Sequence, residues 1–263
     1  IQETLAQDNG FFLIYNNARQ KQENQIKAIR SFISQRVDVI VFSPLVEDGW
    51  DTVLQEAYDA GIPVITSDRQ VNVEKEELVT AWVGGDMVAE GRRAGEWLRD
   101  NTQATDECNI VVLTGTEGSS AAEGRSKGFH SIADSMDNWH ILEEKSGDFT
   151  MAKGKEIMEY FLETYDRIDV LVAQNDDMAF GAMEAIQSAG RRPGEDIRII
   201  SFDAVKAALE MVRDGKINVD VECTPLLGPD VARLILEIQN GGTFAKENPV
   251  EELVFTKENV EQY

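Results

Sequence analysis

The sequence predicts an α/β protein with two domains, each built on a parallel sheet that helices cover. Short apolar runs alternate with helical patterns along almost the whole chain, which is typical of parallel sheets. The apolar runs are continuous, as expected for strands that are buried on both faces. Because one open sheet of about ten strands would be unusual, we expect the 263 residues to form two domains.

Strands are predicted from apolar runs, rich in Val and Ile, that end at polar or turn residues. These runs are 11–17, 38–44, 62–68, 108–115, 139–147, 168–175, 196–203 and 216–223. In open α/β sheets a ligand binds beyond the carboxyl ends of the strands. The residues that follow each run are therefore the first candidates for a functional site.

Helices are predicted where apolar residues recur every three or four positions. In the first of them, Ile26, Ile29 and Ile33 fall on one face, and the helix that ends before Gly190 has a typical glycine stop. The predicted helices are 21–37, 50–61, 87–101, 120–135, 152–165, 177–190, 206–215 and 230–242.

The charge of the chain excludes some classes of partner. Acidic residues outnumber basic residues 48 to 25, and the formal net charge is −23. A surface this negative repels phosphate backbones and anionic membranes, so we predict that the protein does not bind nucleic acid. No apolar run approaches the roughly 18 residues of a membrane span. No signal peptide is visible, but the chain opens inside a helix-like run, so this says little about export.

The sequence has few residues for metal binding or thiol chemistry. The two cysteines, Cys108 and Cys223, lack the close spacing of a zinc or redox motif. They form either one disulfide or two small strand residues, and the second interpretation is favoured. The two histidines, His130 and His140, fall near a helix end and the following loop. We predict no metal site and no cofactor.

Polar side chains follow most of the predicted strands. Those at or near strand ends are Asn16, Asn17, Ser43, Asp68, Arg69, residues 115–120, Asn175, Asp176, Asp203 and Glu222. Carboxylates accept from two neighbouring hydroxyls and a guanidinium donates to two oxygens, which suits a sugar. Phe149 follows another strand and could lie on the apolar face of a sugar ring. Their common location favours a sugar-binding site.

Each of these residues also has a purely structural interpretation. Asp176 or Asp177 could cap the helix that follows, and Asp203 could cap the next one. The pair Asp68–Arg69 could be a surface ion pair of little energetic weight. Phe149 alone is more often a core residue than a binding platform.

Nucleotide binding and catalysis are less well supported. Residues 113–124 contain a glycine-bearing turn but neither G-x-G-x-x-G nor the lysine of a P-loop, although Arg125 could reach an anion or a hydroxyl. The sequence has no G-x-S-x-G or H-E-x-x-H motif. Asp68 and Asp203 could imitate the carboxylate pair of a glycosidase, which stays a minor alternative. We predict that the protein is not an enzyme.

Several sequence blocks resemble one protein family in order and in spacing. They are "AGIPVITSDRQ", "GRSKGF", "SGDFTMAKGKEIME", "VLVAQNDDMAFGAMEAIQSAG" and "ISFDA". Together they make the chain similar to the type I periplasmic sugar-binding proteins, or ribose-binding family, of bacterial ABC importers. The block "VECTPLLGP" and residues 19–64 resemble the galactofuranose-binding branch most closely.

The resemblance implies two Rossmann-like domains, joined by a three-segment hinge, that close on one sugar. It implies domains at 1–85 plus 224–251 and at 86–223 plus 252–263. The ligand-binding residues it implies are Asp68 and Arg69 in the first domain and Arg125, Phe149, Asn175, Asp203, Glu222 and Asp176 in the second. For Asp176, capping of the helix remains an alternative.

The resemblance lacks one part of the family pattern. The family begins with a strand and a loop that supply ligand contacts, whereas Ile1 matches a position late in the first helix. We therefore expect this sequence to lack the first strand and some site residues.

The function implied by the resemblance is capture of a monosaccharide, galactofuranose or a related aldose, for delivery to an ABC permease. It implies a monomer outside the cytoplasm, either periplasmic or lipid-anchored, with a chemoreceptor as a further candidate partner. The alternative is the effector domain of a lactose-repressor-type regulator or of a sugar receptor, which shares the fold. The net charge of −23 favours the transport protein.

Overall fold

The computed structural model describes residues 4–5, 10–103 and 106–262, and these form two compact units. Unit 1 comprises Ile1–Gly85, Gly118–Ser120 and Thr224–Val250, and unit 2 comprises Asp86–Glu117, Ala121–Cys223 and Glu251–Tyr263. Glu251 was predicted to belong to the first domain and residues 118–120 to the second, whereas the units have them the other way round. The chain passes between the units at three places besides this short excursion.

Unit 1 contains a parallel sheet of four strands in the order β1-β2-β3-β9. The strands are Ile40–Phe42 (β1), Val64–Ser67 (β2), Ala81–Gly84 (β3) and Glu247–Pro249 (β9). The helices of this unit are Gln22–Gln35 (α1), Asp51–Asp59 (α2) and Gly228–Gln239 (α8), with a 3₁₀ turn at Glu76–Leu78.

Unit 2 contains a sheet of six strands, of which five are parallel. The strands in spatial order are Val254–Thr256 (β10), Val219–Glu222 (β8), Arg198–Asp203 (β7), Val170–Ala173 (β6), Cys108–Thr114 (β4) and Trp139–Ser146 (β5). Strand β10 pairs antiparallel with β8 at one edge. The helices are Met87–Asp100 (α3), Ser120–Ala133 (α4), Met151–Thr164 (α5), Asp176–Ser188 (α6) and Lys206–Arg213 (α7), with a 3₁₀ turn at Val260–Gln262.

The sheet of unit 2 is buried on both faces, which explains its continuous apolar strands. Val111 and Leu113 pack into one hydrophobic cluster, while their neighbours Ile110 and Val112 pack into another. Successive side chains of a strand point to opposite faces, so each face needs its own apolar set. The predicted α/β fold class is confirmed by this arrangement.

Helices α3 and α4 of unit 2 touch backbone to backbone. A Cβ atom added at Gly91 of α3 would lie 2.0 Å from the carbonyl oxygen of Arg125. One added at Gly128 of α4 would lie 2.1 Å from the carbonyl oxygen of Val88. Real atoms do not approach this closely, so glycine at both positions lets the two helices make contact.

The predicted strand at 11–17 is wrong. Residues 11–19 are irregular, and Phe12 and Tyr15 are 91% and 64% exposed. An apolar run becomes a strand only when another strand satisfies its backbone groups. Within the described ranges no strand pairs with this segment. The helical run predicted at 1–10 lies mostly outside the described residues, although Thr4 and Leu5 are helical.

Three short strands escaped the sequence analysis. Strands β3, β9 and β10 contain only four, three and three residues. Runs this short carry no measurable periodicity, and the Glu-Asn-Pro of β9 has no apolar residue at all. These strands are defined by the strands with which they pair.

All eight predicted helices are found in the part of the chain that the structure describes.

Candidate functional site

The carboxyl edge of the unit 1 sheet borders a cavity of about 310 Å³. Asp68 and Arg69, which directly follow β2, line it together with Ser43, which follows β1. The other lining residues are Asn17, Ala18, Arg19, Gln20, Gln25, Pro44 and Leu45. Four of the predicted strand-end residues of this unit, Asn17, Ser43, Asp68 and Arg69, are thus brought to one place.

The backbone at Asp68 holds an unusual conformation. Its φ is 67°, in the left-handed region that non-glycine residues rarely adopt. The Asp68 N–H donates to the carbonyl oxygen of Val83 at 2.8 Å, and the Trp82 indole N–H donates to the Asp68 carbonyl at 3.3 Å. Such strain costs about 1–3 kcal/mol and persists where the surroundings fix it, often at ligand sites.

The side chains of Asp68 and Arg69 form a loose polar group. The Arg69 Nε lies 3.8 Å from the Asp68 Oδ2, and the Ser43 hydroxyl donates to that oxygen at 3.4 Å. Arg69 also donates through Nη1 to the carbonyl oxygen of Leu45 at 2.9 Å. The Asp68 side chain is 41% exposed, so both a carboxylate and a guanidinium can reach hydroxyl groups in the cavity.

Gln25 is a cavity residue that the sequence analysis missed. Its amide donates to the Ser43 carbonyl at 2.6 Å and accepts from the Leu45 N–H at 3.0 Å. It therefore fixes the segment that follows β1. It sits inside helix α1, where a polar residue between apolar positions looks like an ordinary solvent-facing residue.

Arg125 is deeply buried, with a side chain that is 3% exposed. Its Nε donates to the Glu90 carboxylate at 2.7 Å, and its Nη1 donates to the Gln174 carbonyl. Its Nη2 donates to the Asp203 carboxylate at 3.3 Å. The guanidinium also lies 4.9 Å from the centre of the Phe202 ring. Arg125 thus joins helix α3, strand β6 and strand β7.

The charges around Arg125 keep it protonated. Burial by itself would lower the pKa of the guanidinium, but the carboxylates of Glu90 and Asp203 outweigh burial and raise the pKa well above its usual value. Glu90 is fully buried in helix α3 and was not predicted. Its partner lies 35 residues away in the sequence, so no local pattern connects them.

Asn175 begins helix α6 as its N-cap. Its side-chain oxygen accepts from the Met178 N–H at 3.0 Å, and its amide nitrogen donates to the Phe149 carbonyl at 3.3 Å. The expectation that Asp176 or Asp177 caps this helix is wrong, because the residue with extended φ and ψ just before the helix is Asn175. Asp203 does not cap α7 either, since Val205 occupies that position.

Phe149 stands on a strained turn after β5. Asp148 and Phe149 have φ values of 51° and 58°. Its ring lies against Gly115, where an added Cβ would approach the ring Cζ to 1.9 Å. The Gly115 N–H donates to the side-chain oxygen of Gln174, at 2.8 Å. Gln174 was missed because a buried amide at a strand end looks like one more polar turn residue.

A second strained turn follows β7. Asp203 and Ala204 have φ values of 104° and 55°. The Ala204 N–H donates to the Asp220 carboxyl at 3.2 Å, and the Val205 N–H donates to Asp176 at 2.9 Å. Asp176 also accepts from the Ser201 hydroxyl at 2.5 Å. Both Asp176 oxygens are therefore engaged inside unit 2.

Glu222 ends β8 beside Asp203, with which it pairs in the sheet. Its N–H donates to the Leu253 carbonyl and its carboxylate accepts from the Leu253 N–H, both at 2.9 Å. Glu222 therefore holds the segment before β10.

Among the described residues, one group has the composition of a cation site. Ligand atoms of Glu90, Cys223 and Glu252 lie within 4.8 Å of one another. The Arg125 guanidinium already supplies a positive charge to Glu90, which weakens the case for a metal ion. Neither Cys108 nor Cys223 is in a disulfide. Cys108 begins β4 and is buried, whereas Cys223 directly follows β8.

The predicted residues thus form local groups in each unit. Asp68 and Arg69 share the cavity of unit 1. In unit 2, Arg125 contacts Asp203, and Asn175 contacts Phe149. That these side chains bind a ligand stays a prediction.

Comparison with known proteins identifies the family. Residues 2–242 match the family described as periplasmic binding protein domain. The galactofuranose-binding protein YtfQ of Escherichia coli K12 is 42% identical over 233 residues, which cover 87% of this chain and 73% of YtfQ. No described helix is long and apolar enough to cross a membrane.

Two solved structures are similar over almost the whole chain. A Mycobacterium smegmatis protein in complex with β-D-fucofuranose has a TM-score of 0.95 and 43% identity, covering 99% of this chain and 87% of that one. The binding protein of the arabinose ABC transporter of Shewanella sp. ANA-3, bound to α- and β-L-arabinofuranose, has a TM-score of 0.94 and 40% identity, covering 99% and 86%. This chain belongs to the periplasmic binding protein family.

Proposed function

We propose that this protein is a solute-binding protein that captures a monosaccharide in its furanose form and delivers it to an ABC permease. A relative named for galactofuranose and two solved structures with bound fucofuranose and arabinofuranose, at 40–43% identity, support a five-membered sugar ring. The protein binds its ligand and does not transform it.

The observation that carries the proposal is the group of polar arms at the strand ends of unit 2. Asp203 is presented on a strained turn and contacts Arg125, and Asn175 holds the turn that carries Phe149. A carboxylate, an amide and an aromatic ring are the groups that a sugar needs for its hydroxyls and its apolar face. Backbone strain at Asp148, Phe149 and Asp203 is typical of ligand sites.

In unit 1, we assign hydroxyl binding to Asp68 and Arg69. Their side chains border the same cavity, and the unusual φ of Asp68 is fixed by hydrogen bonds on both sides of its peptide. Glu222 and Arg125 would contribute one hydrogen bond each to the sugar, in addition to the internal contacts already described. For Asp176, whose two oxygens are engaged by Ser201 and Val205, the internal contacts favour a supporting role.

The test is calorimetric titration against sugars whose ring size is locked. In 5-deoxy-L-arabinose the pyranose ring cannot close, and in 4-deoxy-L-arabinose the furanose ring cannot close. Each analogue lacks one hydroxyl, so the two are matched. We expect one-to-one binding of the 5-deoxy sugar, or of galactofuranose, with a Kd in the range of about 1 μM or tighter.

Two results would overturn the proposal. Preference for the 4-deoxy analogue would show that the ligand does not bind as a furanose. If the folded protein bound no aldose, the ligand would not be a sugar of this class. Asp203→Asn is the matched variant, because it keeps the shape and removes the charge. We expect it to weaken binding by about tenfold or more, since a hydrogen bond to a charged group contributes about 1.5–3 kcal/mol.

The remaining assignments are a monomeric state, a location outside the cytoplasm and a permease partner, with a chemoreceptor as a second candidate. The negative charge supports a soluble, non-associating chain. Light scattering tests the monomer. Uptake of labelled sugar by cells in which the gene has been deleted tests the permease, and swimming toward the sugar tests the receptor.

A further inference from the structure

Two buried carboxyls lie beneath the turn that presents Asp203. Asp176 begins helix α6 and Asp220 lies in strand β8, and they are 1% and 0% exposed. Asp220 was not predicted as a site residue, and both oxygens of Asp176, which was, accept hydrogen bonds from Ser201 and Val205. Isolated buried carboxylates are costly, so two of them in one place require an explanation.

Both carboxyls hold the backbone of the same turn. Asp220 Oδ1 accepts from the Ala204 N–H at 3.2 Å, and Asp176 Oδ2 accepts from the Val205 N–H at 2.9 Å. These are the two residues that follow Asp203. Because Asp203 and Ala204 both have positive φ, the turn needs such external contacts to persist.

The two carboxyls are adjacent, and one proton satisfies them both. Asp220 Oδ2 is buried and accepts from no protein donor among the described residues. A proton on Asp220 can be donated to Asp176, whose oxygens already accept from Ser201 and Val205. This leaves one negative charge on the pair in place of two. The other charged groups near it are Asp203, which repels a second charge, and Arg125, which favours the first.

We propose that Asp176 and Asp220 are positioning residues that share one proton and thereby hold the 203–205 turn in the conformation that presents Asp203 to the ligand. The proposal rests on the sugar-binding function for its effect on affinity. Its effect on the turn itself does not depend on which ligand binds.

The proton affinities agree with this arrangement. Burial, followed by the charge of Asp176, raises the pKa of Asp220 well above its usual value. Burial also raises the pKa of Asp176, to about 6, although hydrogen bonds from Ser201 and Val205 oppose the rise. Burial and the repulsion between the two charges therefore favour one proton on the pair, and a second proton is bound only at lower pH.

Because folding raises the pKa of Asp220, the protein should become less stable as the pH rises. Asp220 ionises near its ordinary pKa of 3.8 in the unfolded chain but stays protonated in the fold. The unfolded state then binds fewer protons, so stability falls as pH rises from about 4 until Asp220 ionises in the folded state. Loss of the shared proton at high pH puts two charges on the pair, which loosens the turn and weakens sugar binding.

The decisive comparison is between Asp220→Asn and Asp220→Ala. Asparagine keeps an oxygen for the Ala204 N–H and an N–H for Asp176, so it imitates the protonated carboxyl. We expect its Kd for 5-deoxy-L-arabinose to stay within about twofold of the wild type, without the weakening at high pH. Alanine should weaken binding at least about fivefold, the lower end of ordinary coupling between sites.

Hydrogen exchange of the Ala204 and Val205 amides reads the turn directly. Alanine at 220 should speed the exchange of Ala204 at least about tenfold, and asparagine should restore protection. The control is Asp169→Ala. Like Asp220, Asp169 accepts a hydrogen bond from a backbone N–H, that of Asn109, at 2.8 Å. It lies just before strand β6, however, and so at the opposite end of that strand from the turn. It should lower the melting temperature and leave Kd and Ala204 exchange unchanged.

Three outcomes would overturn the proposal. Asparagine could behave like alanine in both Kd and exchange, alanine could lower the melting temperature alone, or the wild-type protein could show no pH dependence that the asparagine variant removes. If the wild-type protein binds no sugar, the sugar-binding function fails. Amide exchange and the pH dependence of the melting temperature then decide the role of the carboxyl pair by themselves.

Discussion

The two units hold their charged side chains in different surroundings. In unit 1, the Asp68–Arg69 group is loose, with an ion-pair distance of 3.8 Å and a carboxylate that is 41% exposed. In unit 2, Arg125 is 3% exposed and pairs at 2.7 Å with Glu90, which is fully buried. A predicted site residue can thus be a loosely paired, exposed side chain or part of the internal framework, and burial distinguishes the two.

Arg125→Ala should produce the largest loss of stability. It leaves the Glu90 carboxylate buried without its positive partner, and breaking such a pair costs about 3–5 kcal/mol. Equilibrium urea unfolding measures the loss. The matched control is Arg30→Ala, which breaks the exposed pair between Arg30 and Glu56 and should cost far less, because solvent screens an exposed pair. Equal losses in the two variants would remove the distinction between buried and exposed pairs.

Gly115→Ala should have an intermediate effect. The new methyl group would lie 1.9 Å from the Phe149 ring, so the ring must move. Overpacking of this kind costs about 1–3 kcal/mol, and a displaced ring should also weaken sugar binding. A double-mutant cycle with Phe149→Ala tests the cause. If the methyl group is equally harmful without the ring, the contact between Gly115 and Phe149 does not explain the loss.

Arg69→Ala should have the smallest effect on stability and a large effect on binding. Loss of its hydrogen bond to the Leu45 carbonyl should cost about 1 kcal/mol. Loss of a charged donor to a sugar hydroxyl should weaken Kd by roughly 10- to 100-fold. Calorimetry and thermal melting on the same preparation separate the two quantities. A stability loss as large as that of Arg125→Ala would show that unit 1 is built like unit 2.

The sequence predicted what local patterns can express. All eight helices and the strand ends at Asp68, Asn175 and Asp203 follow from periodicity and from apolar runs. The run at 11–17 misled the analysis because a strand needs a partner, which its own residues do not specify. Strand β9, Glu-Asn-Pro, exists only because it pairs with β3.

The interior of the site was less accessible to sequence reasoning. Arg125 was predicted to be a site residue, but its three protein acceptors come from positions 90, 174 and 203, which no local spacing connects. The identity of the cap on α6 depended on where the helix begins, to within one residue. In the sequence, Asp220 looks like any other strand residue. Its proximity to Asp176 arises only from the tertiary fold.

The close contact of helices α3 and α4 has a consequence for protein engineering. Gly91 meets the backbone of Arg125, and Gly128 meets that of Val88, so no side chain of any size is tolerated at either glycine. The packing of the two helices that carry Glu90 and Arg125 therefore does not tolerate substitution at these glycines. A library designed to recognise a new sugar should diversify Asp68, Arg69 and Phe149 and leave Gly91 and Gly128 unaltered. Variants at the two glycines would fail to fold and would be lost before selection could act on specificity.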